Sequence, residues 1–212
     1  MKLFVTGTGT EVGKTFVSVA LLKEWRRRGL QPAGVKPFET GCAPTAADAE
    51  ALARACGRPE LASLPGLYRA RLPAAPYAAT LAGEPPPAWE TILQTLRALP
   101  HRPLLVEGAG GPLVPIDETR LLIDLAHELR AGVLLVAADQ LGVLSHTLAA
   151  AEAIAARATL RAVLLTRPTP APDPSKRTNA HILQQRLPVP LFTLAHRSTD
   201  VRALVTHLGD LD

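Results

Sequence analysis

The 212 residues, 47% of them hydrophobic, suffice for one sizeable core and are expected to form a single domain, 1–212. The net charge of +4, with no basic run longer than Arg26-Arg27-Arg28, excludes a nucleic-acid stripe, and no apolar stretch reaches the roughly 18 residues of a membrane span, so small anions remain as partners. Cys42 and Cys56 stand in no metal-binding spacing and the amino terminus has no signal-peptide apolar region, which points to a reducing, cytoplasmic compartment.

Short apolar runs rich in Val, Leu and Phe at 2–6, 32–35, 103–106, 132–138, 161–165 and 189–193 are predicted as strands. Segments of helical period at 14–28, 46–56, 90–98, 120–130, 141–157, 175–186 and 199–208 are predicted as helices. The arginine triplet closes the first helix just before Gly29, where cations complement the carboxyl-terminal dipole. Nearly continuous apolar strands alternating with helices imply an α/β fold: a doubly wound, mostly parallel sheet with helices on both faces. The proline-rich stretch from Pro65 to Pro87 is expected to be a shaped loop, because proline removes donors and blocks helix interiors. In such a sheet ligands bind beyond the carboxyl ends of the strands, so the residues that follow each strand are the ones to inspect.

After the first strand comes Gly7-Thr8-Gly9-Thr10-Glu11-Val12-Gly13-Lys14-Thr15. Glycines let backbone N–H groups curl round phosphates, the lysine reaches the outer phosphates and the threonine hydroxyl meets magnesium. Gly7 and Gly13 are separated by five residues, one more than the usual pattern. The second strand ends in Lys36-Pro37-Phe38-Glu39-Thr40-Gly41; a residue before proline is held extended, so Lys36 is expected at the carboxyl edge, close to the phosphate loop if strands one and two are near neighbours. The strand at 103–106 runs into Glu107-Gly108-Ala109-Gly110-Gly111, a carboxylate suited to magnesium followed by glycines that permit close approach.

Gly-Thr-x-Thr-Glu-Val-Gly-Lys-Thr at 7–15, Lys-Pro-x-x-Thr-Gly at 36–41, Asp48 opening a helix, Val-Glu-Gly-Ala-Gly-Gly at 106–111 and Leu141-Gly142-Val143-Leu144-Ser145-His146 together resemble the dethiobiotin synthetases. The long phosphate loop is that family's own variant. The resemblance implies a P-loop NTPase-like fold and an ATP- and Mg2+-dependent homodimer that closes a ureido ring on 7,8-diaminononanoate with CO2. It assigns Glu11, Val12, Gly13, Lys14, Thr15, Phe16, Asp48, Glu107, Gly108, Ala109, Gly110, Thr166 and Arg167 to the nucleotide and its metal, with Thr15, Asp48 and Glu107 around magnesium. Lys36 and Lys14 are the expected catalytic residues. Thr10, Lys36 and Thr40, with Leu141, Gly142, Val143 and Ser145 from the partner subunit, are expected on the diamine and its carboxylate. Ser145 stands where the family often has asparagine, Leu165-Thr166-Arg167 lacks the usual adenine-contacting asparagine, and Thr193-Leu194-Ala195-His196 replaces a Gly-x-Ile-Pro segment, leaving the base contacts open. Two other readings share the phosphate loop. A positioning ATPase carries an early loop lysine where this chain has Thr8 and Gly9, and an amide synthetase carries a fused glutaminase domain.

Overall fold

A computed structural model describes residues 1–100 and 103–209; residues 101, 102 and 210–212 of the expected 1–212 unit lie outside the described residues. The sheet begins with β1 (Lys2–Gly7), continues with β2 (Ala33–Val35), and later gains β5 (Leu104–Glu107), β6 (Gly132–Ala138), β7 (Thr159–Thr166) and β8 (Leu191–Leu194). Their spatial order is β2-β5-β1-β6-β7-β8, and every ladder is parallel. All the predicted strands are therefore present, each within a residue or two of its expected bounds. Strands one and two, however, are not neighbours, because β5 lies between them. Lys36 thus meets the phosphate loop across the end of β5.

From Leu3 on, β1 is buried on both faces, as is β5 throughout and β6 from Val133. Such strands need helices on both sides, which explains their unbroken apolar runs. The helices are α1 (Lys14–Arg27), α2 (Ala47–Cys56), α4 (Trp89–Ala98), α5 (Leu122–Leu129), α6 (Val143–Ala155), α7 (Asn179–Arg186) and α8 (Arg202–Gly209), with α3 (Pro76–Leu81) inside the stretch expected to be loop. Pro76 sits at the first turn of α3, where its missing N–H costs no hydrogen bond. The segment predicted as one helix over 175–186 divides into a 3-10 turn, Pro174–Arg177, and α7; the Asp173 side chain accepts from the Ser175 N–H and closes that turn separately. A second, two-stranded parallel sheet pairs β3 (Phe38–Glu39) with β4 (Tyr68–Arg69) beyond the end of β2. It arises because Pro37 keeps the chain extended past Lys36.

The chain runs from β1 out to the edge strand β2, returns through β5, then crosses β1 to β6 and runs out through β7 and β8. Direction reverses around β1, and the crevice at the carboxyl end of such a strand is where sheets of this kind hold ligands. Close packing beneath that edge is illustrated by Gly34, where an added Cβ would run into Leu22 Cδ1 on α1. Gly34→Ala is expected to cost ~1–3 kcal/mol by overpacking and Leu22→Ala ~2–5 kcal/mol by cavity formation. In chemical denaturation the double variant should be more stable than the two losses predict together, because each change relieves the other.

Candidate active site

Register brings the central charges together. Val35 pairs with Val106 and Val5 with Glu107, so Lys36 follows β2 at the level of Glu107 on β5. Side chains at matching levels of neighbouring parallel strands leave the sheet on the same side. Lys36 Nζ donates to Glu107 Oε1 at 2.7 Å and to Asp48 Oδ2 at 2.7 Å. Thr15 Oγ1 donates to the same Glu107 Oε1 at 2.8 Å. Lys36 and Glu107 are buried to 5% and 0% side-chain exposure, whereas Asp48 keeps 40%. The Lys36 backbone is pinned too, its carbonyl accepting from Arg69 Nη1 at 2.9 Å.

Burial by itself would push the Lys36 ammonium down, but Glu107 and Asp48 outweigh it and hold it above its ordinary value. Burial likewise opposes ionisation of Asp48, yet the charge of Lys36 keeps that carboxyl below its usual range. For Lys14 the balance tips the other way: burial, reinforced by the charge on Lys36, outweighs the attraction of Glu107 and Asp48 and lowers it to about 8.

The phosphate loop leaves β1 at Gly7, where a Cβ would come 2.6 Å from Val12 Cγ2, and enters α1 at Gly13 with φ 92°. Both positions therefore require glycine. Gly13 brings no side-chain cap to the helix start, so the first N–H groups of α1 face outward as donors with the helix dipole behind them. The loop is tied by Gly7 N–H to Gly110 O, Thr8 N–H to Val136 O and Thr166 Oγ1 to Val12 O at 2.7 Å. Lys14 Nζ donates to Gly9 O at 2.7 Å, which places its ammonium inside the curve.

A cavity of about 360 Å3 opens above these groups. One side consists of Thr10, Glu11, Gly13, Lys14, Thr15 and Phe16, from the glycine-rich loop and the start of α1. Facing them are Lys36, Thr40 and Asp48, with Ala109 and Gly110 closing the rim. A second cavity, of about 400 Å3, adjoins it through Gly13 and Phe16 and contains Thr166 and Arg167. Its outer wall is Pro168 with Leu194, Ala195, His196 and Arg197. Four of these wall residues follow or end β8, at the carboxyl edge where ligands are sought; Leu194, Ala195 and His196 belong to the segment whose base contacts the sequence left open, and Arg197 adds to it. Arg167 is oriented by Asp139, whose Oδ2 accepts from its Nε at 3.1 Å.

Other expected residues lie elsewhere. Glu107, Val12 and Gly108 line neither cavity: Glu107 is buried beneath Lys36 and Thr15, Val12 offers its carbonyl to Thr166, and Gly108 is packed against Leu122 and Phe4. Leu141, Gly142, Val143 and Ser145, around the start of α6, also line neither. Val143 is buried there and Leu141 is 83% exposed.

Glu39 was missed by the sequence reading. It is buried on β3, and its carboxylate accepts from the N–H groups of Asp48 at 2.8 Å and Ala49 at 3.0 Å. Helix α2 starts at an alanine with no side-chain cap of its own, so Glu39 supplies the cap from a distant segment and aims Asp48 at Lys36. The signal lay in the uncapped Ala46-Ala47 start.

The donor set suits a hard cation. Glu107 Oε2 is buried without a hydrogen-bond partner among the described residues, an expensive arrangement for a carboxylate oxygen. Thr15 and Asp48 offer further oxygens beside it. No group of three or more His, Cys, Asp or Glu residues able to hold a metal occurs among the described residues. A cation here would therefore draw its remaining ligands from phosphate and water, the habit of magnesium.

A parallel sheet whose first strand feeds a glycine-rich loop, a lysine and a hydroxyl at a helix start defines a P-loop nucleotide-binding protein. The fold agrees: the signal recognition particle receptor FtsY of Elizabethkingia anophelis superposes with a TM-score of 0.55 at 16% identity, over 94% of this chain and 60% of that one. FtsY of Thermotoga maritima gives 0.53 at 16% identity, over 98% of this chain and 68% of the other. A family model described as AAA domain matches residues 1–201. The ATP-dependent dethiobiotin synthetase BioD of Anaeromyxobacter sp. (strain Fw109-5) is 39% identical over 92% of this chain and 89% of its own length. That of Caulobacter sp. (strain K31) is 40% identical over 97% and 93%. The chain belongs to the family of ATP-dependent dethiobiotin synthetases.

Glu39→Ala is expected to lower stability by ~1–2 kcal/mol, the cost of an uncapped helix start, as read from thermal unfolding.

Proposed function

We propose that the chain carboxylates and cyclises 7,8-diaminononanoate to dethiobiotin, consuming ATP and releasing ADP and phosphate. One amine adds to CO2 and loses a proton to give a carbamate. A carbamate oxygen attacks the γ-phosphorus, breaking its bond to the ADP oxygen and forming a carbamic-phosphoric anhydride. The second amine then attacks the carbamate carbon, loses a proton, closes the five-membered urea and expels phosphate. The observation that carries this reading is Lys36, a buried ammonium held 2.7 Å from each of two carboxylates in the same cavity as Lys14 and Thr15.

The hard step brings one anion to another. At ~4 Å two unit charges repel by roughly 4 kcal/mol at an effective dielectric of about 20, which is on the order of a thousandfold in rate. Lys36 offsets the carbamate charge, with Thr40 beside it, and Lys14 the phosphate charge, both preset by rigid strand and helix ends. Thr15, Asp48 and Glu107 would hold Mg2+, which when bound supplies further neutralisation of the phosphate oxygens. The backbone at Gly13 and Phe16 leads from the phosphates to the second cavity, where Phe16, Arg167 and His196 surround the base. Thr10 and Thr40 face the diamine. Leu141, Gly142, Val143 and Ser145 are read as serving the substrate carboxylate of a second copy in a homodimer, a reading supported by the 83% exposure of Leu141 beside the start of α6. The contiguous apolar cluster supports a single working domain over 1–212. No helix among the described residues is long and apolar enough to cross a membrane, and we assign the enzyme to the cytoplasm without nucleic-acid partners.

Incubation with diaminononanoate, ATP, magnesium and labelled bicarbonate should yield acid-stable label in a cyclic urea. ATP hydrolysis without fixed label would reject the assignment in favour of a nucleotide switch. Lys36→Ala should lose on the order of a thousandfold in ring closure while still binding ATP; parental turnover would remove Lys36 from the mechanism.

The lowered Lys14 also sets a pH dependence. Because the ammonium is lowered to about 8 in the protein and a triphosphate favours its charged form, binding above pH 8 must take up a proton. ATP affinity should therefore fall as pH rises through 8, with calorimetric proton uptake measured in buffers of different ionisation enthalpy.

A further inference from the structure

At the opposite edge of the sheet, where β6 and β7 begin, lies a third cavity of about 480 Å3. It is lined by the guanidinium-bearing Arg130, Arg157 and Arg161, with His127, Gly132 and Thr159 among the other residues. A smaller recess shares Arg130, Gly132 and Arg161 with it. Nothing in ring closure uses this region. Two helix carboxyl termini end here, and cations there complement the dipole. That accounts for the charge of Arg130, the C-cap residue of α5, and for Arg157, which is also paired with Asp124 at 2.7 Å. It does not account for Arg161, and neither Arg130 nor Arg161 has a carboxylate partner among the described residues.

Arg130 follows α5 with φ 51°, a left-handed position where glycine is preferred and other residues are strained. Among the described residues, the non-glycine residues with positive φ are Glu11, Arg130 and Arg197. Glu11 and Arg197 line the first and second cavities; Arg130 lines this one. Backbone strain of that kind persists where a side chain is needed in place.

Arg161 is built in differently. Val133 pairs with Leu160 and Leu134 with Ala162, so Arg161 is the extra residue of a β-bulge, a device that re-aims a side chain. Its side chain then lies across Gly132, where a Cβ would come 2.7 Å from Arg161 Cγ and 3.1 Å from Nε. A left-handed cap, a bulge and a glycine cradle thus hold cationic forks around one opening. His127 Nδ1 lies 2.9 Å from Arg157 O, so that nitrogen donates and the ring is held on the same rim.

We propose that this cavity is a second anion site, which takes a small organic phosphate through Arg130 and Arg161 with Arg157 at its side. Guanidinium forks match phosphate oxygens two by two, and the opening is large enough for a phosphoryl group with an attached sugar-sized body.

Inorganic pyrophosphate titrated calorimetrically into the full-length protein tests the site. The parent is expected to bind two equivalents and Lys14→Ala to retain one. The double variant Arg130→Gly, Arg161→Gln should also retain one, while forming the cyclic urea at the parental rate. Arg130→Gly alone relieves the left-handed strain, so it should unfold no earlier than the parent yet weaken the second equivalent by about tenfold or more. A parental titration for either arginine variant, or loss of all binding in Lys14→Ala, overturns the proposal. So does displacement of the pyrophosphate by single-stranded DNA, which would make the cavity part of a polyanion surface.

Discussion

The buried contact between Lys36 and Glu107 is the constraint on which the carboxyl-terminal edge of the sheet depends. Removing two charges from water costs several kcal/mol each, and such a pair is tolerated only when geometry and further hydrogen bonds compensate. Here Asp48, Thr15 and the backbone anchor from Arg69 all converge on it. The pair exists because β5 lies between β1 and β2 and because the register places both residues at one level. It also couples distant parts of the chain: the phosphate loop through Thr15, the second strand through Lys36, and α2 through Asp48. Glu39 makes that coupling stiff by capping α2 from the small β3–β4 sheet.

Charge is distributed so that reactants complete it. Lys14 and Lys36 are opposed by Asp48 and Glu107, with Glu11 and Glu39 on the cavity wall, so the cavity holds no excess of positive charge. Under the proposed function a triphosphate there would add further negative charge and call for a cation, toward which the unpartnered Glu107 Oε2 could turn. The lowered Lys14 belongs to the same logic, since an ammonium destabilised in the protein gains most from a polyanion. The amino-terminal edge is arranged otherwise. Its arginines Arg130 and Arg161 have no carboxylate partner among the described residues, and backbone devices rather than ion pairs hold them in place.

Much of this was legible before folding was considered. The parallel α/β architecture followed from unbroken apolar strands, because a strand covered on both faces has no polar side to alternate with. The phosphate loop followed from residue chemistry, as only glycine, lysine and a hydroxyl at a helix start can do that work. The α3 helix was hidden because proline blocks helix interiors but suits a first turn, and local composition does not distinguish the two. The segment Leu194 to Arg197 stood out only as a departure from the family pattern, because its residues carry no distinctive chemistry until β8 sets them beside Phe16 on the wall of the second cavity.

By itself the sequence determined which groups are available: the loop that receives phosphate, the lysine fixed in extended backbone before Pro37, and the carboxylate ending an apolar strand. Those are local matters, set by backbone sterics, hydrogen-bonding capacity and hydrophobic period. Only the tertiary structure decided which of them touch. Strand order and register are long-range choices, made by burying two sheet faces at once, and they alone placed Glu107 between Lys36 and Thr15, Glu39 under α2, and the paired arginines at the far edge.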